Sequence, residues 1–265
     1  SNNKYWKLCC QYFLLVLMLD IKNAQLKFFN ETDSTNTQAL NLLKSKNGNC
    51  EPTWFRANIQ THGRGRNKST WISEKGNLFI TLLTPMIWPV NIIPMLSCVV
   101  AVTIHESIKS FLPDGDLLKI KWPNDILYKN SKISGILIEN QINGDSKYSI
   151  IGIGVNIFSS PSNLEYSTIC LENLVPNSKE LLEEFFIKLK ERLHKNLNLF
   201  NENSVSYFLE YALSNLWNLN KDVEFNNSGS IHKGKLIGLS NNYEIILDID
   251  RKNRTFNSGE ISIRK

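Results

Sequence analysis

Two short stretches hold most of the residues that could do chemistry. The first, at residues 60–71, reads Q-T-H-G-R-G-R-N-K-S-T-W, and its centre is Gly63-Arg64-Gly65-Arg66. Glycine lets a backbone approach a bound molecule and present its N–H groups, and guanidinium forks fit carboxylate and phosphate oxygens. Arg64, Arg66 and Lys68 lie close enough in sequence to repel one another in an empty site. That predicts a loop that is mobile when free and ordered around an anion. By itself, the tetrapeptide is better read as a solvated basic turn.

The second stretch changes that balance. Lys121-Trp122-Pro123-Asn124-Asp125 ends a strand in a turn, with proline fixing φ and two side chains offering oxygens. Lys132 enters the next strand, and Gly135 allows close packing there. Two lysines and one carboxylate on adjoining strand ends form a cationic site with one acid–base or metal-binding group. A hairpin with surface charge explains Lys129 and Asn130, but not Trp-Pro-Asn-Asp framed by apolar strands.

These groups need a scaffold, and the hydrophobic periodicity supplies one. Residues 26–29, 54–60, 77–84, 117–122, 133–139 and 148–157 read as strands. Thr35 and Gln38 have capping-box spacing, opening a helix that stops at Gly48. Helical faces also run over residues 91–111, from near Asn177 to Leu193, and over 204–217. From about Lys221 the chain turns to short strands separated by Asn, Ser and Gly, near 223–225, 235–239, 243–249, 254–256 and 260–263. A barrel of about 45 residues is too small to be secure alone and should dock on the larger part.

Bulk properties narrow the class. With 265 residues, 42% of them hydrophobic, the chain can bury a full core and divides naturally into one large and one small domain. A net charge of +5, spread along the chain, suits a protein that handles phosphates but is too diffuse for a duplex-DNA binder. Cys9, Cys10, Cys50, Cys98 and Cys170 show no metal-ligand spacing and read as reduced thiols of a cytosolic protein. The apolar run at 12–19 is followed by Lys22 and Asn23 where a signal peptide needs small residues, and it is too short for a span. Among the histidines, only His62 in the basic loop has a setting worth testing; none has a catalytic partner at suitable spacing.

The two stretches, with Ser34-Thr35-Asn36, Gly152-Ile153-Gly154-Val155-Asn156 and Gly259-Glu260-Ile261-Ser262-Ile263-Arg264, resemble biotin protein ligases in order and spacing from residue 26 onward. The resemblance implies an α+β fold: a mixed β-sheet backed by helices, like the class II synthetases, followed by a small SH3-like β-barrel. It implies a lead-in at 1–25, a catalytic domain at 26–220 and a C-terminal domain at 221–265. The implied activity joins biotin to ATP as biotinyl-5′-AMP, then transfers biotin to a lysine of the biotin carboxyl carrier protein of acetyl-CoA carboxylase. Mg²⁺ is expected with the ATP.

On this resemblance the catalytic set is Lys132, Arg66, Lys121 and Asp125. Biotin would be held by Ser34, Thr35, Gln60, Gly63, Arg64, Lys132, Gly135, Gly152 and Gly154. ATP and the adenylate would meet Arg64, Arg66, Trp71, Lys121, Asn124, Lys132 and Asn156, with Asn156 also near the metal. The loop departs from the family at Asn67-Lys68-Ser69-Thr70, where another glycine and basic residues are usual. Only 33 residues precede Ser34, fewer than the roughly 50 of a domain. A ligase without specific DNA binding is therefore expected, cytoplasmic, off the membrane, and compatible with a homodimer. The rival readings are a lipoate or octanoate ligase of the same fold, which would not need the Ser, Thr and Gln set, and a nucleic-acid-binding regulator, for which only Trp71 is near enough to stack.

Overall fold

The fold comes from a computed structural model that describes residues 19–162, 164–175, 180–227 and 229–263. Most of the apolar run at 12–19, the helix start expected at Asn177, and Arg264 lie outside the described residues.

A seven-stranded sheet forms the larger part. Its strands are β1 (Gln25–Thr32), β2 (Thr53–Gln60), β3 (Leu78–Pro85), β4 (Leu118–Lys121), β5 (Asp125–Tyr128), β6 (Ser131–Asn143) and β7 (Ser146–Val155). They lie in the order β1-β2-β3-β7-β6-β5-β4. Only β1 and β2 pair in parallel, so the sheet is mixed. Most of β7 and residues 133–136 of β6 are covered on both faces, which is why those stretches read as apolar, whereas the far end of β6 is polar and open to solvent.

One face packs on helices α2 (Leu96–Lys109), α3 (Leu181–Leu199) and α4 (Val205–Ser214). Eleven of the 14 residues of α2 are buried, so it is apolar all round, as a central helix must be. With the preceding 3₁₀ turn, Val90–Lys109 is long and apolar enough to span a membrane by length and composition, yet its surface is mostly covered by this protein. The helix expected from residue 91 thus starts later. Pro94 has no N–H to give, and Val90–Met95 closes as a 3₁₀ turn before Leu96.

The other face carries α1 (Thr35–Ser45) at one end, where Ala39 and Leu43 meet Phe55, Leu83 and Ile150. The expected capping box does not form: Ser34 is the N-cap, and Gln38 Nε2 donates to Asp33 Oδ1 at 2.9 Å. Thr35 is released for another use, described below. The block at 121–135 also contains one more strand than expected. Asp125–Tyr128 pairs with β4 on one side and β6 on the other.

The remaining strands are β8 (Asp222–Asn227), β9 (Ser230–Leu239), β10 (Ile245–Ile249), β11 (Lys252–Phe256) and β12 (Glu260–Ile263). They form a second, barrel-like antiparallel sheet in the order β11-β10-β9-β8-β12. It docks as anticipated. Trp122 is 1% exposed, donates its indole N–H to the Tyr243 carbonyl at 2.6 Å, and packs 6.1 Å from Phe225. Val223, Phe225, Leu236, Ile245 and Ile261 share one continuous apolar core with the large sheet.

Candidate active site

Residues opposite one another on neighbouring strands point to the same face. The register therefore lays a row across the face that also carries α1: Ala57, Phe79, Gly154, Gly135, Asp125 and Lys121. A second row beside it runs Phe55, Thr81, Gly152 and Leu137. Three glycines thus leave a lane free of side chains, ending at a carboxylate and a lysine.

Strict alternation would place Lys132 on the opposite face from Gly135. A register shift between β5 and β6 prevents this, because Ile126 pairs with Ser134 while Leu127 pairs with Lys132. The extra residue, Ile133, lies in the core, and Lys132 reaches the site face. There its Nζ forms an ion pair with Asp125 at 2.8 Å and lies 5.3 Å from the Trp71 ring and 5.5 Å from Tyr166.

The loop at 61–73 folds over the lane. It is held by Gly65 N–H to the Ser69 carbonyl at 2.7 Å and Trp71 N–H to the Gly63 carbonyl at 2.9 Å. Trp71 lies directly on the glycines: a Cβ at Gly154 would meet its indole at 2.5 Å, and one at Gly135 would meet it at 2.8 Å. Gly152 gives its space to Asn36, whose Oδ1 would be 2.3 Å from a Cβ there. The glycines expected to face a ligand are therefore packed against the protein's own Trp71 and Asn36. The mutual repulsion of the loop cations is also relieved internally, because Arg64 forks onto Glu139 with Nη1–Oε1 at 3.0 Å and Nη2–Oε2 at 2.8 Å.

At the α1 end of the lane the polar residues are prearranged. The amide and hydroxyl of Thr35 both donate to Gln60 Oε1, at 2.8 and 3.0 Å, and Gln60 Nε2 donates to Ser73 Oγ at 3.0 Å. Ser34 and Thr35 are nearly buried, at 4% and 3% exposure. Gly63 sits beside Gln60 Nε2 and the Trp71 carbonyl, with no room for a side chain.

At the other end, Arg66 Nη1 donates weakly to Asn124 Oδ1 at 3.4 Å. Burial pulls the Arg66 pKa below the ordinary arginine value, while the negative charges of Asp125 and Glu260 pull it back up. Arg66, Ser97, Trp122, Asn124, Tyr243 and Asn257 are among the residues lining a trough of about 380 Å³ between the large sheet and the barrel. Lys121 faces the barrel too, 3.6 Å from Glu260 and 5.7 Å from the Trp217 ring. Asn156 differs from expectation in its surroundings. It is 2% exposed, and its amide donates to the carbonyls of Ile169 and Lys132 at 3.2 and 3.4 Å, tying β6 to the loop that follows β7.

The structure thus brings Lys132, Asp125, Trp71, Gly135 and Gly154 into one cluster, with Thr35 and Gln60 beside the second row and Arg66, Asn124 and Lys121 at the barrel side. Residue-by-residue reading of the sequence missed Glu139, Thr81, Ser73 and Glu260. For Glu139 a signal existed. It lies four residues after Gly135 on β6, so strand alternation puts it on the same face.

Residues 28–156 match the model of the biotin/lipoate A/B protein ligase family. The chain is 34% identical over 131 residues to a biotin–[acetyl-CoA-carboxylase] ligase of Paracoccus denitrificans, covering 49% of this chain and 53% of that protein. It is 34% identical over 149 residues to the bifunctional ligase/repressor BirA of Bacillus subtilis, covering 56% of this chain and 45% of that one. The chain therefore spans about half the length of these curated relatives. Over the whole fold it is similar to the biotin protein ligase of Aquifex aeolicus solved with biotin and ATP. That match has a TM-score of 0.74 and 26% identity, covering 91% of this chain and 99% of that one.

Proposed function

We propose that this protein activates biotin with ATP to biotinyl-5′-AMP and transfers it to a lysine of the biotin carboxyl carrier protein of acetyl-CoA carboxylase. The observation that carries the reading is the position of Lys132: over a glycine lane, paired with Asp125, with Arg66 and Lys121 on the barrel side and Thr35 and Gln60 beside the lane. The apolar lane with a hydrogen-bonding end suits a bicyclic ureido acid. A long aliphatic acid would leave the Thr35 and Gln60 groups without purpose, which favours biotin over lipoate.

In the first step a biotin carboxylate oxygen bonds to the α-phosphorus of ATP and the bond to pyrophosphate breaks. Two anions must meet, and Lys132, Arg66 and Lys121 offset their repulsion and the charge growing on the phosphoryl oxygens. Once Lys132 turns to those anions, its hold on Asp125 weakens. In the second step the acceptor amine bonds to the acyl carbon, AMP leaves, and Asp125 is placed to orient the amine and take its proton. Arg66, beside Asn124, retains the adenylate between the steps.

Mg²⁺ fits this site as a companion of ATP. Among the described residues no group of three His, Cys, Asp or Glu could hold a metal. Mg²⁺ characteristically binds through substrate phosphates and one or two protein oxygens; Asn156 and Asp125 are the candidates. The same reading divides the chain at 25/26 and 220/221, places the protein in the cytoplasm, and allows a homodimer along a free sheet edge, checkable by light scattering.

The test is ATP–pyrophosphate exchange by the purified protein with biotin, lipoate or no acid. Biotin-dependent exchange that Lys132→Ala abolishes supports the reading. Exchange with lipoate alone moves the protein to lipoate ligation, and no exchange with either acid overturns adenylation.

A further inference from the structure

Glu139 belongs to no ligand set read from the sequence, yet it anchors a hydrogen-bond chain that crosses the second row to the Thr35 and Gln60 end of the site. Its carboxylate receives both guanidinium nitrogens of Arg64, and Oε2 also accepts from Asn36 Nδ2 at 2.8 Å. Asn36 Oδ1 accepts from the Thr81 hydroxyl at 2.6 Å, and Thr81 Oγ1 lies 2.8 Å from Thr35 Oγ1. Thr35 then holds Gln60, Gln60 donates to Ser73 Oγ, and Ser73 Oγ donates to the Trp71 carbonyl at 3.3 Å. Both ends of the ligand loop, Arg64 and the 71–73 segment, hang from this one chain.

The burial profile distinguishes anchor from relay. Asn36 is 3% exposed and Thr81 is fully buried, so their geometry is fixed by packing and by the room that Gly152 leaves. The Arg64 and Glu139 side chains are 40% and 27% exposed, so their pair can open. A forked, charge-assisted contact at the rim of an otherwise rigid chain can close a loop reversibly. A solvated basic turn would need neither the fork nor the buried relay behind it.

We propose that Glu139 is a positioning residue: through Arg64 and Asn36 it holds the loop closed over the lane and sets the orientation of Thr35 and Gln60. This rests on the reading that the lane takes biotin and ATP. The carboxylate does not touch the reacting atoms. It sets the fraction of molecules whose loop is ready to bind, so weakening it raises the apparent ligand constant in inverse proportion to the closed fraction that remains.

The experiment uses the full chain. Glu139→Gln is compared with the unsubstituted protein in biotin-dependent ATP–pyrophosphate exchange, and in trypsin cleavage at Arg66 and Lys68 without ligand. The expected result is a KM for biotin raised about tenfold with kcat changed less than about twofold, the signature of lost ground-state positioning. Cleavage of the free loop should become faster, thermal stability should stay nearly unchanged, and Glu139→Asp should restore part of both losses. In an Arg64→Ala background, Glu139→Gln should add only the smaller loss carried by Asn36. Unchanged KM and cleavage, or an equal further rise in KM on the Arg64→Ala background, would overturn the proposal. The cleavage comparison needs no ligand and judges the anchor alone. Absent exchange in the unsubstituted chain instead removes the ligase reading.

Discussion

The two faces of strand β7 are built from alternate residues of one short segment, yet they do opposite work. Ile151, Ile153 and Val155 point to the helices and are at most 3% exposed. Gly152 and Gly154 point the other way and contribute no side chains, so that Asn36 and Trp71 can lie against the backbone. The helix-backed face gains stability from volume, whereas the site face gains function from its absence. The buried polar groups divide in the same way. Behind the helix-backed face, His105 is closed between the Tyr211 hydroxyl at 3.0 Å and the Leu118 carbonyl at 3.1 Å, a pair that uses up its ring. On the site face, the chain from Glu139 to Ser73 ends at a loop that can meet a ligand.

If this division is real, substitutions on the two faces should separate activity from stability. The largest effect should come from Lys132→Ala, lowering biotin-dependent exchange by about 10²–10³-fold or more, as loss of a group that stabilises transition-state charge does. Circular dichroism should show the fold retained. Next, Ile153→Ala on the helix-backed face should cost about 2–5 kcal/mol in urea unfolding. Its KM for biotin should stay close to that of the parent, and a change in KM larger than the loss of stability would blur the distinction.

His105 gives a pH test of the same face. Desolvation depresses its pKa to about 4, partly opposed by the hydrogen bond to Leu118. Because the unfolded chain binds the proton more tightly, the associated stability is present above the unfolded pKa near 6.5 and is lost as pH falls towards 4. A shift of this size corresponds to about 3 kcal/mol. Urea midpoints measured between pH 7 and 4 should fall, and His105→Phe should flatten the dependence on this group.

The smallest effect should come from Gly154→Ala. Its Cβ would force the Trp71 indole off the lane, raising the KM for biotin about tenfold, or about 1.4 kcal/mol, with a change in Trp fluorescence and little loss of stability. An alanine that lowered stability but left KM untouched would show that the lane is only a packing device.

Much of this was legible in the chain. The strands at 54–60, 77–84 and 148–157 and the five of the barrel were readable because apolar alternation and Asn, Ser and Gly turns are local signals. The additional strand Asp125–Tyr128 was not, because four residues after a proline turn are too few to show a period. Thr35 looked like a cap because its spacing to Gln38 allows one, but Gln60, 25 residues away, takes its amide and hydroxyl instead. Lys121 was legible as a site cation, whereas its pairing with Glu260 depended on how the barrel docks.

The sequence by itself determined which groups are available: the glycine lane, the loop cations, Asp125 and Lys132, each in a segment whose local pattern sets strand or loop. It could not determine which face Lys132 occupies. Side chains alternate along a strand with period two, and Lys132 and Gly135 are an odd number of residues apart. Only the single-residue bulge at Ile133, made when β5 pairs with β6, returns the lysine to the same face as the glycines and Asp125. Pairing between strands is a tertiary choice, and here it decides whether the cation reaches the site.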